Sequence, residues 1–127
     1  MILVFGGAYQ GKLRYALGRF GYNDDDVFLC DDSDACIPGG KKIVYELDKW
    51  LLALVRAGAD TDLAVRQFIS DNMGAVVIIN DISCGVVPTD PVERIWREAV
   101  GNALAVVAGE SDEVIRMFCG IPMVLKS

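Results

Sequence analysis

The feature that most limits what this chain can fold into is the apolar run Ile2-Leu3-Val4-Phe5 followed at once by Gly6-Gly7-Ala8-Tyr9-Gln10-Gly11-Lys12-Leu13. The run reads as a buried strand, and the glycines let it turn sharply into a helix. In such a turn several backbone N–H groups and the helix N-terminus converge on one point, where an anion fits and Lys12 adds a mobile positive charge. The pattern G-x-x-x-x-G-K-[ST] is met at Gly6, Gly11 and Lys12 and departs only at Leu13, where a hydroxyl would ordinarily ligate Mg²⁺. Gly6, Gly7, Ala8, Tyr9, Gln10, Gly11, Lys12 and Leu13 are therefore the predicted cradle for the phosphates of ATP or GTP with Mg²⁺. No N-K-x-D guanine motif chooses between the two nucleotides. An ordinary strand-to-helix turn with an exposed lysine is the plainer reading, and the placement at the end of the first strand favours the phosphate.

The rest of the chain alternates strand and helix signals. Leu13 to Phe20 reads as a helix closed by Gly21, Asn23 to Asp26 as a turn, and Val27 to Cys30 as a short second strand. Asp31-Asp32-Ser33-Asp34 and Pro38-Gly39-Gly40 make a loop too long for a simple connector. Ile43, Leu47, Trp50, Leu51, Leu54 and Val55 fall at helical spacing, with Trp50 expected in the core. Asp60 caps a further helix carrying Ala64, Val65, Phe68, Ile69 and Met73 on one face. Ala75 to Ile79 has the non-alternating, β-branched character of a strand covered on both sides, as in a parallel sheet. Asp90-Pro91-Val92-Glu93 starts a helix at capping-box spacing, with Val92, Ile95, Trp96, Ala99, Val100, Ala103, Leu104 and Val107 on its buried face. A last strand runs from Glu113 to Cys119. This order predicts a single domain over residues 1–127: a P-loop NTPase-like three-layer α/β sandwich around a small, mostly parallel sheet of about four strands.

Net charge −6, from 12 basic and 18 acidic residues, disfavours nucleic acid and anionic lipid as partners. The apolar runs are far shorter than the roughly 20 residues that cross a bilayer, so no membrane partner is expected, and a cytoplasmic location is. Cys30, Cys36, Cys84 and Cys119 form no C-x-x-C pair, and the chain has no histidine to complete a zinc site or serve as general base. Cys84, Gly85 and Pro88 are expected to shape a loop.

Ligands on an α/β sheet gather beyond the carboxyl ends of the strands. Asp31-Asp32 and Asn80-Asp81 follow predicted strands there. Asp81 is the first candidate for catalysis, positioning Mg²⁺ or accepting a substrate hydroxyl proton, with a turn-capping aspartate as the equal alternative. Asp31 is a second metal candidate, against a solvated acidic loop.

Beyond the loop, Val76-Val-Ile-Ile-Asn-Asp-Ile-Ser-Cys-Gly-Val-Val-Pro88, Arg94-Ile-Trp-Arg-Glu-Ala-Val-Gly-Asn102 and Cys119-Gly-Ile-Pro-Met-Val-Leu-Lys126 stand out. Read with the N-terminal Met1 to Ala8, they resemble the bifunctional adenosylcobinamide kinase / adenosylcobinamide-phosphate guanylyltransferase family of cobalamin biosynthesis. The resemblance covers both ends of the chain and leaves the middle aside. It implies that Gly6, Gly7, Gly11 and Lys12 form the phosphate loop, that Asp81 is the acid after the strand, and that Asn102 is the family's helix asparagine. It also implies a homo-oligomer acting on adenosylcobinamide. Family members are typically longer, and their guanylyltransferase half uses a histidine that this chain lacks. Gln10 and Leu13 stand where the family's loop has hydroxyl residues. Two readings follow: an adenosylcobinamide kinase-like phosphotransferase, or a non-catalytic nucleotide- or corrinoid-binding regulatory subunit.

Overall fold

A computed structural model describes residues 1–8, 10–33, 36–82 and 90–127. Among these residues six strands form one sheet: β1 (Ile2–Gly6), β2 (Val27–Leu29), β3 (Ile43–Tyr45), β4 (Val76–Asn80), β5 (Glu113–Phe118) and β6 (Ile121–Lys126). Their order is β2-β3-β4-β1-β5-β6, parallel throughout except for the antiparallel β5–β6 pair. Four α-helices accompany them among the described residues: α1 (Lys12–Phe20), α2 (Leu47–Arg56), α3 (Thr61–Asp71) and α4 (Pro91–Glu110). This is the expected P-loop-like α/β architecture, with two more strands than the sequence pattern indicated.

The central strands explain the layering. Val77 and Ile79 of β4, with Leu3 of β1, pack against α2, α3 and α4, while Val76, Ile78 and Val4 point the opposite way toward α1. Alternate side chains thus enter different cores, which is why β4 is apolar without a break. Trp50 is buried in the larger core, its ring 5.5 Å from that of Phe68. Asp60 accepts the Leu63 N–H to start α3, and Asp90 accepts the Val92 N–H ahead of Pro91 to start α4.

Several expectations are corrected. Ile43 belongs to β3 and not to the helix, which begins at Leu47. Ile43-Val44-Tyr45 is a β-branched and aromatic triplet flanked by two strands, and pairing with β2 and β4 outweighs its helical spacing. The last strand stops at Phe118, and the segment after it returns as β6, whose Pro122 is tolerated because the strand is at the sheet edge. Met73, Val92 and Ile95 are exposed; α4 buries Ala99, Val100, Ala103 and Val107 against the core, leaving those in its first two turns uncovered. Among the described residues no helix is long and apolar enough to cross a membrane.

Candidate functional site

β1 ends at Gly6, whose φ of 151° and close approach to the Met117 carbonyl leave no room for a Cβ. The chain then passes through the glycine loop to Gly11, which caps α1 in the left-handed conformation. A residue with a Cβ would strain there, so the helix start is fixed by the glycine itself. Lys12 opens α1 and is buried, its Nζ donating to the Gly7 carbonyl. Burial lowers its pKa, and the carboxylates of Asp48 and Glu46 pull the other way.

Beside this loop, at the carboxyl ends of β1, β3 and β4, lies a cavity of about 540 Å³, the size range of small-ligand sites. Ala8, Gln10, Gly11, Lys12 and Leu13 form one wall. The opposite wall is supplied by the start of α2, with Glu46, Asp48 and Lys49, and by Asn80 and Trp96.

Asp48 is the most constrained acid of the cavity. Its Oδ1 accepts the Asn80 N–H at 3.0 Å, its Oδ2 accepts Asn80 Nδ2 at 3.4 Å, and its carbonyl accepts Trp96 Nε1 at 2.7 Å. β4 and α4 therefore hold it from two sides. Burial pushes its pKa up, partly opposed by the Asn80 hydrogen bonds. Glu46 precedes it at φ 58°, one of two non-glycine residues with positive φ among those described. Strain of this kind clusters where a side chain must be held for a purpose.

Lys12, Ala8, Gln10, Gly11 and Leu13 thus share one cavity wall, and Gly6 and Gly7 do not line it; Tyr9 lies outside the described residues, as do Cys84, Gly85 and Pro88. Asp81 sits next to the cavity without lining it, its N–H donating to the Gly6 carbonyl at 2.8 Å. That bond ties the end of β4 to the start of the loop. Asp31 occupies a neighbouring depression together with Asp32, Glu46 and Lys49. Its carboxylate accepts the Ser33 N–H and Oγ–H, both at 3.0 Å, which lowers its pKa. Asn102 is exposed on α4, away from the cavity lining.

The pattern reading missed Glu46, Asp48 and Lys49. The signal that could have found them is the strand Ile43-Val44-Tyr45: acids directly after a parallel strand belong at the ligand end of the sheet. The described residues contain no group of three or more His, Cys, Asp or Glu able to hold a metal ion. Leu13 carries no side-chain oxygen that could serve as a ligand either.

No curated protein matches the chain. A family model matches residues 42–125, taking in β3, α2 and the middle of the chain that the motif resemblance left aside, and leaving out the glycine loop. That model describes cobinamide kinase / cobinamide phosphate guanyltransferase, and the chain belongs to this family.

Proposed function

We propose that the chain binds a nucleoside triphosphate in the cavity beside the glycine loop and transfers its γ-phosphoryl group to the aminopropanol hydroxyl of adenosylcobinamide. The observation that carries the reading is the meeting of buried Lys12, at the start of α1, with Glu46, Asp48 and Lys49 across one cavity. Loop amides and the α1 N-terminus would cradle the phosphates, and Lys12 would leave the Gly7 carbonyl for the β- and γ-phosphate oxygens. The acceptor oxygen would form its bond to the γ-phosphorus as the bond to the β–γ bridging oxygen breaks. The hydroxyl proton would pass to a carboxylate of the opposite wall, and the bridging oxygen would leave on the nucleoside diphosphate, with Lys12 and Lys49 neutralising its charge. Mg²⁺ would supply further charge neutralisation when bound.

The guanylyl-transfer half has no histidine to carry it in this chain. A second reading, a regulatory subunit that binds nucleotide or corrinoid without turnover, is favoured by Leu13. Incubation with adenosylcobinamide, Mg²⁺ and γ-labelled ATP or GTP separates them: label in the corrinoid supports the kinase, and saturable binding without transfer supports the regulatory subunit. A chain that binds neither nucleotide refutes both nucleotide readings. Assembly with further copies is also proposed, because β6 exposes Ile121, Met123, Val124 and Leu125 at a sheet edge. A monomer by sedimentation at micromolar concentration would refute it.

A further inference from the structure

Gln10 lines the cavity, yet its side chain is engaged elsewhere. Its Oε1 accepts the backbone N–H of Cys119 at 2.6 Å, a link between residues 109 apart in sequence. Cys119 and Gly120 form the two-residue turn joining β5 to β6, with φ of 52° and 74°. Positive φ at both positions suits the twist of an antiparallel pair, but a cysteine is an uncommon occupant of the first. A side chain in the left-handed region persists where its surroundings hold it.

Those surroundings are the glycine loop. A Cβ on Gly11 would lie 4.0 Å from Gly120 Cα, while Gln10 Cγ lies 3.8 Å from where a Gly7 Cβ would be. Gln10 thus lies over one loop glycine and reaches the hairpin tip that abuts another. At the loop's start, Gly6 runs against the Met117 backbone on the same strand. β5 and its turn therefore brace the loop at both ends, and Gln10 supplies the polar tie at the second.

We propose that Gln10 is a positioning residue, tying the phosphate loop to the β5–β6 hairpin tip so that the loop amides are already convergent when a polyphosphate arrives. The role rests on the nucleotide site proposed above. A glycine-rich loop has many conformations to lose, and fixing it in advance removes that loss from the binding step. Apparent affinity then scales with the fraction of molecules whose loop is competent.

The test compares the full chain with Gln10→Met, Gln10→Ala and Gln10→Glu. Methionine matches the length and apolar body of glutamine and lacks the acceptor. Without ligand, the Cys119 amide should exchange with deuterium about tenfold faster in Gln10→Met and Gln10→Ala, and Gln10→Glu, which keeps an acceptor oxygen, should restore slow exchange. Mg²⁺-pyrophosphate and Mg²⁺-ATP should both bind Gln10→Met about five- to tenfold more weakly, by the same factor, because the tie acts on the phosphate loop and not on a base site. The thermal midpoint of the ligand-free variant should stay within about 2 °C of wild type, because the tie joins a loop to a hairpin tip outside the two hydrophobic cores. Unchanged affinity in Gln10→Met, or unchanged Cys119 exchange, overturns the proposal. A wild-type chain that binds neither pyrophosphate nor ATP refutes the nucleotide site, and the role of Gln10 falls with it even if the exchange result holds.

Discussion

Gly6→Ala should be the most damaging single-methyl substitution at the loop. At Gly6 a Cβ would lie under 3.0 Å from the Met117 carbonyl oxygen, and the backbone has φ 151°. Neither strand can yield freely, since β1 is paired on both sides, to β4 and β5. Overpacking of this kind costs about 1–3 kcal/mol, and a non-glycine residue at such a φ adds about 1–3 kcal/mol. The sum, about 2–6 kcal/mol, is a large share of the roughly 5–15 kcal/mol that holds a domain folded. Gly18→Ala provides the opposite case. It is an exposed position within α1, and a Cβ there meets nothing within 4 Å. Alanine should stabilise the helix by about 0.5–1 kcal/mol. Urea denaturation followed by circular dichroism measures both, with the slope checked for constancy. A Gly6→Ala midpoint equal to wild type, at unchanged slope, would refute the claim that β5 closes against the loop at this point.

Three further outcomes are expected. Lys12→Met should abolish the thermal shift that Mg²⁺-ATP gives wild type, a stabilisation of about 2.7 kcal/mol at a hundredfold excess over Kd; a retained shift would place the phosphates elsewhere. Asp48 has a folded-state pKa raised by burial, so its contribution is fully present below the ordinary aspartate value and is lost as pH rises through the raised one. Wild-type stability measured against Asp48→Asn should therefore fall across that window, and a difference that rises with pH would contradict the burial argument. Leu13 packs partly buried against the core on the α1 side, so Leu13→Ser should cost about 1–2 kcal/mol of stability while increasing Mg²⁺-dependent phosphorylation of adenosylcobinamide. Fast wild-type turnover that drops in this variant would mean that another group ligates the metal.

Local signals made much of the fold legible. The strand-to-glycine transition at Gly6, the caps at Asp60 and Asp90 and the unbroken apolar run of β4 each depend on neighbours a few residues away, and each took the expected form. β3 and β6 were hidden for a different reason. Three residues of strand carry too short a period to compete with the helical spacing that continues into α2, and only parallel neighbours on both sides make Ile43-Val44-Tyr45 a strand. β6 has every residue exposed and contains Pro122, so neither alternation nor burial marks it; its partner is β5, through a turn whose first residue is not one that such turns usually select.

The same limit governs the site. The glycine loop is contiguous, and its composition alone announces it. The opposite wall is assembled by strand order: β4 lies between β1 and β3, so residues following β3 face the loop across one intervening strand. Asp48 then owes its place to Asn80 from β4 and Trp96 from α4, partners 32 and 48 residues away. An acid in the first turn of an amphipathic helix, read without those partners, is indistinguishable from a solvated helix-start carboxylate. Burial is what separates the two, because a carboxylate removed from water must be hydrogen-bonded or become neutral. Asn80 meets that requirement for the Asp48 carboxylate with its backbone N–H and its side-chain amide, while Trp96 Nε1 holds the Asp48 main-chain carbonyl. Asp31, exposed to solvent and accepting from Ser33, has no such requirement to meet.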